Sequence, residues 1–231
     1  GQVRTFSREQ ADSIVKKVTG QIGEVVEVRK DMKKELPPLA YDLTELQRDA
    51  NRRYSYSAKQ TLNIMQRLYE THKLVTYPRT DSRYITEDIV PTLTERLKSI
   101  AVGPYAKPVQ GILRSKLNVT KRFVDNSKVS DHHAIIPTEQ YVDLSALSAE
   151  ERNVYDLIVK RFIAVLSSPF EYEQTNVKLS IAGETFTARG KIVKSWGWRT
   201  VYEGFGKLEE DTEDEEKDQA LPDIQKGQKA K

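Results

Sequence analysis

The sequence predicts an α+β fold from three observations. Capped amphipathic stretches fill its middle, alternating runs rich in β-branched residues lie toward both ends, and prolines separate the two patterns. The elements follow in chain order. Ser7-Arg8-Glu9-Gln10 reads as a capping box, and Ala11, Ile14, Val15 and Val18 then share one helical stripe that ends at Gly20. Glu24 to Arg29 reads as a strand, and Pro37-Pro38 breaks the chain. Asp42-Leu43-Thr44-Glu45 opens a short helix through about Ala50. Ser57-Ala58-Lys59-Gln60 caps a longer one, whose apolar stripe is Leu62, Met65, Leu68 and Tyr69.

A short strand, Leu74-Val75-Thr76, comes next. Helix, turn, helix and strand in that order suit a winged-helix-like module, with an ordinary helical hairpin as the plainer alternative. Thr86 with Glu87 and Asp88 starts another helix, continued by Leu93, Leu97 and Ile100, with Pro91 shifting its start or kinking it. Gly103-Pro104 ends that helix, and residues 104–130 read as irregular and basic, either a phosphate-tracking surface or solvated loop lysines. Ser148-Ala149-Glu150-Glu151 caps a helix with core-facing Val154, Leu157, Ile158, Phe162 and Val165, which stops at Pro169. Alternation from Tyr172 to Ile181, a turn at Ala182-Gly183 and a strand over Thr185 to Arg189 make a hairpin, and Trp196 to Tyr202 reads as a third strand.

Composition narrows the class. The chain has 231 residues, with 31% charged and 38% hydrophobic, ordinary for a globular protein. No apolar run approaches the roughly 20 residues that span a bilayer, and the start, Gly1-Gln2-Val3-Arg4, does not resemble a signal peptide. With no cysteine, disulfides and thiolate metal sites are excluded, which accords with a cytoplasmic protein. The net charge of +3 hides an asymmetry: eight of the ten residues 209–218 are acidic, and residues 1–208 carry 33 basic against 25 acidic groups. The folded part is therefore basic and suits a polyanionic partner, a lysine-rich solubilising surface being the alternative.

The residues that carry chemistry lie in Leu74 to Arg83. Pro78 biases Tyr77 toward extended backbone, and in extended chain residues i and i+2 point the same way, so the Tyr77 hydroxyl and the Arg79 guanidinium are expected on one face. A tyrosine attacks poorly at neutral pH unless a base or positive charge favours its phenolate. Arg79 is expected to supply that charge and to grip a phosphate through two hydrogen bonds. The plainer reading of the local chemistry is Tyr77 as one of 11 tyrosines packed at a core edge, with Arg79 as a surface charge.

The run Tyr77-Pro78-Arg79-Thr80-Asp81-Ser82 resembles the active-site signature of type IA DNA topoisomerases, and its proline resembles the topoisomerase III branch. Ser130-Asp131-His132-His133-Ala134-Ile135-Ile136-Pro137-Thr138 is similar to the family's histidine motif. Pro37 to Ala50 resembles the opening of the domain that bears the nucleophile, and Thr61 to Glu70 fits its next helix.

The resemblance implies a helical, winged-helix-like nucleophile domain at residues 37–167, inserted into a mainly β arch domain formed by 1–36 and 168–208. Residues 209–231 would hold an acidic loop and the start of a further domain, so the chain is expected to be cut from a longer one at both ends. It implies that Tyr77 attacks a single-strand phosphodiester and becomes joined to the 5′ phosphate, that Arg79 positions the phosphate, and that His132 serves DNA engagement and cleavage geometry. Asp81 and Ser82 are expected to support the loop, Asp81 by accepting hydrogen bonds and Ser82 by capping the turn. Thr44, Gln47, Arg48 and Arg52 fall where it places strand-contacting groups, and Lys59 and Arg67 add phosphate contacts.

Single-stranded DNA is the implied partner, and a bacterial, nucleoid-associated location the implied setting. Magnesium would be bound by an N-terminal acidic domain outside this chain, leaving the fragment to bind DNA but cleave it poorly or not at all. No metal site is expected here. A zinc site at His132 and His133 competes, but adjacent histidines face apart in regular structure and lack further ligands nearby. The alternatives to an enzyme of this family are a noncatalytic winged-helix DNA-binding module and another tyrosine-nucleophile enzyme, such as a recombinase or relaxase.

Overall fold

Capping residues set where the helices begin. In the computed structural model, which describes residues 7–115, 117–202 and 221–230, Ser7 caps α1 (Arg8–Val18), Asp42 caps α2 (Leu43–Tyr54) and Ser57 caps α3 (Ala58–Glu70). Each side chain accepts from the backbone N–H three residues on. The remaining helices are α4 (Leu93–Ser99), α5 (Ala106–Leu113) and α6 (Ala149–Val165). At α6 the box is reciprocal: Glu151 N–H donates to Ser148 Oγ at 3.2 Å, and Ser148 N–H donates to Glu151 Oε2 at 2.9 Å. The strands are β1 (Gly23–Glu35), β2 (Phe170–Ile181), β3 (Glu184–Ser195) and β4 (Lys229–Ala230).

The chain divides into two units. A β unit takes Gly1–Glu35, Glu171–Ser195 and Glu209–Lys231, and a helical unit takes Leu36–Phe170 and Trp196–Leu208. The helical unit interrupts the β unit between β1 and β2, two strands that are neighbours in a sheet of order β3-β2-β1-β4. The α+β class expected from the sequence is therefore what the chain adopts.

In the β unit, β2 and β3 pair antiparallel from Ile181↔Glu184 out to Glu171↔Ser195. The two-residue turn has positive φ at both Ala182 (+50°) and Gly183 (+81°), the geometry whose twist matches a hairpin. A Cβ on Gly23 would stand 2.7 Å from Ile181 Cγ1, so a bare backbone is what fits against β2 there. Lys229 and Ala230 pair with Glu24 and Gly23. The segment expected to open a further domain thus adds a short strand to this sheet.

The helical unit packs around α6, which meets α2, α3 and a 3-10 turn at Gly197–Val201. Eleven of its 17 residues are buried, so most of its circumference faces protein. Asp49 on α2 accepts from Arg161 Nη2 at 2.8 Å and from the Tyr41 hydroxyl, while Arg161 Nη1 donates to the Leu39 carbonyl at 3.0 Å. Burial pushes the Tyr41 hydroxyl well above its ordinary value, so it stays protonated and donates. Arg67 on α3 donates to Glu151 at 2.9 Å, tying α3 to the start of α6.

Several elements differ from expectation. α2 runs on to Tyr54, which puts Arg48 and Arg52 four residues apart on one helix. Pro91 sits in a 3-10 turn, Glu87–Thr92, because its ring cannot follow a full α-helical turn, and α4 begins two residues later. Residues 106–113, read as irregular, form α5. Val109 and Ile112 are its buried pair, and Pro108 falls in the first turn, where a missing N–H costs nothing. Trp196 to Tyr202 is not a third strand. Gly197 turns at φ +47°, with a virtual Cβ 2.1 Å from the Pro169 carbonyl oxygen, and Trp198 N–H donates to Ser168 at 2.9 Å, so Trp198 and Val201 enter the helical core. The acidic run Glu209 to Asp218 lies outside the described residues.

Two outcomes test these packing arguments. Ala182→Asn relieves a left-handed alanine and is expected to stabilise the hairpin by about 1 kcal/mol, read as a higher urea midpoint with unchanged slope. Burial pushes the Glu151 carboxyl up, but the Ser148 N–H, Arg67, the Ser148 hydroxyl and His72 outweigh it and hold the group at about 2. A carboxyl lowered in the folded state adds stability above its unfolded value near 4.3, and that stability is lost as pH falls through the folded value. Glu151→Gln is therefore expected to lower the melting temperature at pH 6 and to flatten its fall between about pH 5 and 2.

Candidate active site

The segment that delivers Tyr77 has little regular structure and is held by side chains bonding to backbone. Lys73, at φ +58°, turns the chain out of α3, and Val75 pairs with Pro137. Thr76 N–H donates to the Ile136 carbonyl at 3.0 Å. The Thr76 hydroxyl donates to the Ala134 carbonyl and accepts from Ile136 N–H, both at 3.0 Å. Thr80, buried, donates through Oγ1 to the His132 carbonyl at 2.8 Å and accepts from Ser82 N–H, while its own carbonyl accepts from Leu43 N–H at 3.1 Å. Ser82 Oγ donates to the Lys128 carbonyl at 2.8 Å, and Ile135 N–H donates to Tyr41 at 2.8 Å. The three motifs read from the sequence are thus joined to one another through main-chain atoms.

Tyr77 is half-buried in a cleft of about 220 Å³, lined also by Thr76, Thr86, Ser130, Asp131, His132 and His133. Its ring meets that of His132 at 4.1 Å with planes 34° apart, and that of Tyr69 at 5.6 Å and 84°. Among the described residues its hydroxyl has no hydrogen-bond partner. His133 Nδ1 lies 2.8 Å from the Ala134 carbonyl, which assigns that nitrogen as the donor. Burial pushes the His133 imidazole below its ordinary value, keeping it neutral at pH 7.

The other expected residues separate into those free to meet a ligand and those already paired. Arg79 and Lys59 are exposed and have no side-chain partner among the described residues, and Thr44 is exposed near the start of α2. Arg79 is not among the residues that line the cleft, where the Tyr77 ring meets those of Tyr69 and His132. Asp81 is exposed and accepts no hydrogen bond from a described residue. Loop support comes from Thr80 and Ser82 instead. Arg48 pairs with Glu45, Arg52 with Asp49, and Gln47 Nε2 donates to the Ala58 carbonyl. Arg67 is committed to Glu151 and Glu150, so the structure uses it between helices and not as a free phosphate contact.

Among the described residues no group of three His, Asp or Glu is placed to hold a metal ion, and no helix is long and apolar enough to cross a membrane. A larger cleft of about 1130 Å³ lies between α5 and the turn at Gly197–Val201, but Lys107 is its one charged lining residue, so its size does not mark it as a reactive centre. No periodic signal in the sequence marks the bonding roles of Thr76 and Thr80, and Tyr69 falls in the apolar stripe of its helix.

The site thus holds a phenol with no hydrogen-bond partner among the described residues, its ring stacked on a histidine. A family model described as DNA topoisomerase matches residues 1–231, and this chain belongs to that family. Within it the chain is similar to proteins named DNA topoisomerase 3, which places it on the topoisomerase III-like side of the type IA group. One from Bacillus cereus is 55% identical over 227 residues, covering 98% of this chain and 31% of the relative. One from Bacillus subtilis is 52% identical over 226 residues, with the same coverage. The chain spans about a third of the length of these curated relatives. Its fold matches full-length topoisomerase I from Thermotoga maritima with a TM-score of 0.68 at 22% identity, over 99% of this chain and 35% of that one.

Thr80→Val keeps the shape but leaves the His132 carbonyl and Ser82 N–H without their partner. It is expected to cost about 1–3 kcal/mol by urea unfolding, whereas Asp81→Asn is expected to stay within about 0.5 kcal/mol.

Proposed function

We propose that this chain supplies the nucleophile of a type IA DNA topoisomerase. In this reading the Tyr77 hydroxyl attacks a backbone phosphorus of one DNA strand. A bond forms between the tyrosine oxygen and phosphorus, the bond from phosphorus to the 3′ oxygen breaks, and the phenol's proton ends on the departing 3′ hydroxyl. The 5′ phosphate stays linked to Tyr77. Another strand passes through the gap, and the 3′ hydroxyl then attacks the phosphotyrosine, so the strand is resealed without ATP.

The observation that carries this reading is the Tyr77 hydroxyl itself, without a partner among the described residues, in a cleft and with its ring held against His132. An oxygen already satisfied by a protein group would have to lose that bond before attacking. His132, exposed beside it, is suited to donate to a phosphate oxygen. Arg79, exposed two residues on, is suited to clamp the phosphate and offset the charge that develops during displacement. Thr44 and Lys59 are further groups free to meet the strand, and Arg48 and Arg52 would have to exchange an acidic partner for a phosphate.

Single-stranded DNA is the proposed partner and the bacterial nucleoid the proposed setting. The described residues do not fit a divalent cation, and no step above passes through one. Magnesium, in this reading, is held by residues outside this chain, and the chain alone would bind DNA without efficient cleavage.

The test uses a protein of the relatives' full length that carries this chain, mixed with magnesium and a 3′-labelled single-stranded oligonucleotide and stopped with detergent. A labelled protein adduct that is absent in Tyr77→Phe is expected. No adduct in either, despite salt-sensitive binding, would favour a noncatalytic winged-helix DNA-binding module.

A further inference from the structure

The backbone on both sides of Tyr77 is pinned. Thr76 is bonded to Ile136 and Ala134, Pro78 is buried with its φ fixed by the ring, and Thr80 is bonded to His132 and Leu43. With no partner for the hydroxyl among the described residues, the direction of the phenol is left to two side-chain torsions. Two rings bound those torsions: His132 at 4.1 Å and Tyr69 at 5.6 Å.

The two walls differ in stiffness. His132 is exposed and lies in the irregular stretch before Ala134, where a ligand in the cleft would meet it directly. Tyr69 is half-buried on the last turn of α3, a helix anchored by Ile64, Met65 and Leu68, each no more than 1% exposed, and by the Arg67 pair to Glu151. Its ring meets the Tyr77 ring near the perpendicular, a preferred geometry for an aromatic pair. Tyr69 does not line the cleft, so it can orient Tyr77 without touching what binds there.

We infer that Tyr69 is a positioning residue, whose ring holds the phenol of Tyr77 at the angle needed for in-line attack on a backbone phosphate. The inference rests on the reading of Tyr77 as nucleophile and adds to it the side chain that aims it. The face of a ring does this work, not the Tyr69 hydroxyl. Removing the ring loosens the phenol and lowers the fraction of bound complexes in attack geometry, while DNA contacts elsewhere are untouched.

The experiment measures single-turnover formation of the 3′-labelled adduct in the full-length protein across oligonucleotide concentrations, for the unsubstituted protein, Tyr69→Leu, Tyr69→Met, Tyr69→Phe and Tyr77→Phe. An aromatic pair of this kind corresponds to about two- to tenfold in rate. Tyr69→Leu is expected to lower the maximal rate by that factor with the half-saturating concentration unchanged, and Tyr69→Phe to stay within about twofold of the unsubstituted rate. Should the leucine variant fail to fold, the methionine variant, which fills similar space without a ring, carries the same expectation. Full rate without the ring overturns the inference, as does a phenylalanine variant as slow as leucine, or a loss that appears wholly in the half-saturating concentration. An adduct lost in Tyr77→Phe but undiminished in Tyr69→Leu defeats the role of Tyr69 alone. No adduct in the unsubstituted protein defeats both.

Discussion

Two threonine hydroxyls hold the centre of the helical unit together. Thr76 and Thr80 sit on either side of Tyr77-Pro78, and each reaches across to a carbonyl of the His132-to-Ile136 stretch. Beyond the bridge of Val75 with Pro137 and the bond from Thr76 N–H to Ile136, the two stretches share no ladder, and buried main-chain groups left unpaired are costly. The bonds therefore do what a sheet ladder would do, but at a place where a ladder would point alternate side chains away from one another. An irregular crossing of two chains, fastened by short polar side chains, lets Tyr77 and His132 turn toward one cleft.

That crossing is supported from α6. The pairing of Arg161 with Asp49, Tyr41 and the Leu39 carbonyl fixes the entry to α2, and Tyr41 in turn accepts from Ile135 N–H. A charge pair this far from water contributes little if replaced whole by apolar groups, but it is expensive to leave half made. Its value here is geometric, since it sets α2 against the histidine stretch. Arg96 does similar work on the other side, donating to the Pro137 carbonyl at 2.8 Å while paired with Glu139.

The surface groups then divide by consequence. Arg48 and Glu45 form a surface pair on one helix that a phosphate can displace at modest cost, whereas the partner of Arg52, Asp49, is buried and also held by Arg161. Arg67 is different, because its partner Glu151 also caps α6, and taking it away would loosen two helices at once. Exposed Arg79 and Lys59 have no side-chain partner among the described residues to give up. The positive charge left unpaired among these residues is thus less than a count of basic residues suggests.

The local sequence was enough for what depends on near neighbours. Ser7, Asp42, Ser57 and Ser148 mark the helix starts because a cap needs only the three residues that follow it. Alternation and the Ala182-Gly183 turn mark the hairpin for the same reason. The motifs around Tyr77 and His132 carried the family. Long-range packing decided the rest. It folded Trp198 and Val201 into the helical core where a strand was expected, made a helix of residues 106–113, and sent Lys229 and Ala230 back to β1. It also gave the support expected of Asp81 to Thr80, because a buried hydroxyl facing the His132 carbonyl, 52 residues away, has no signature among its sequence neighbours.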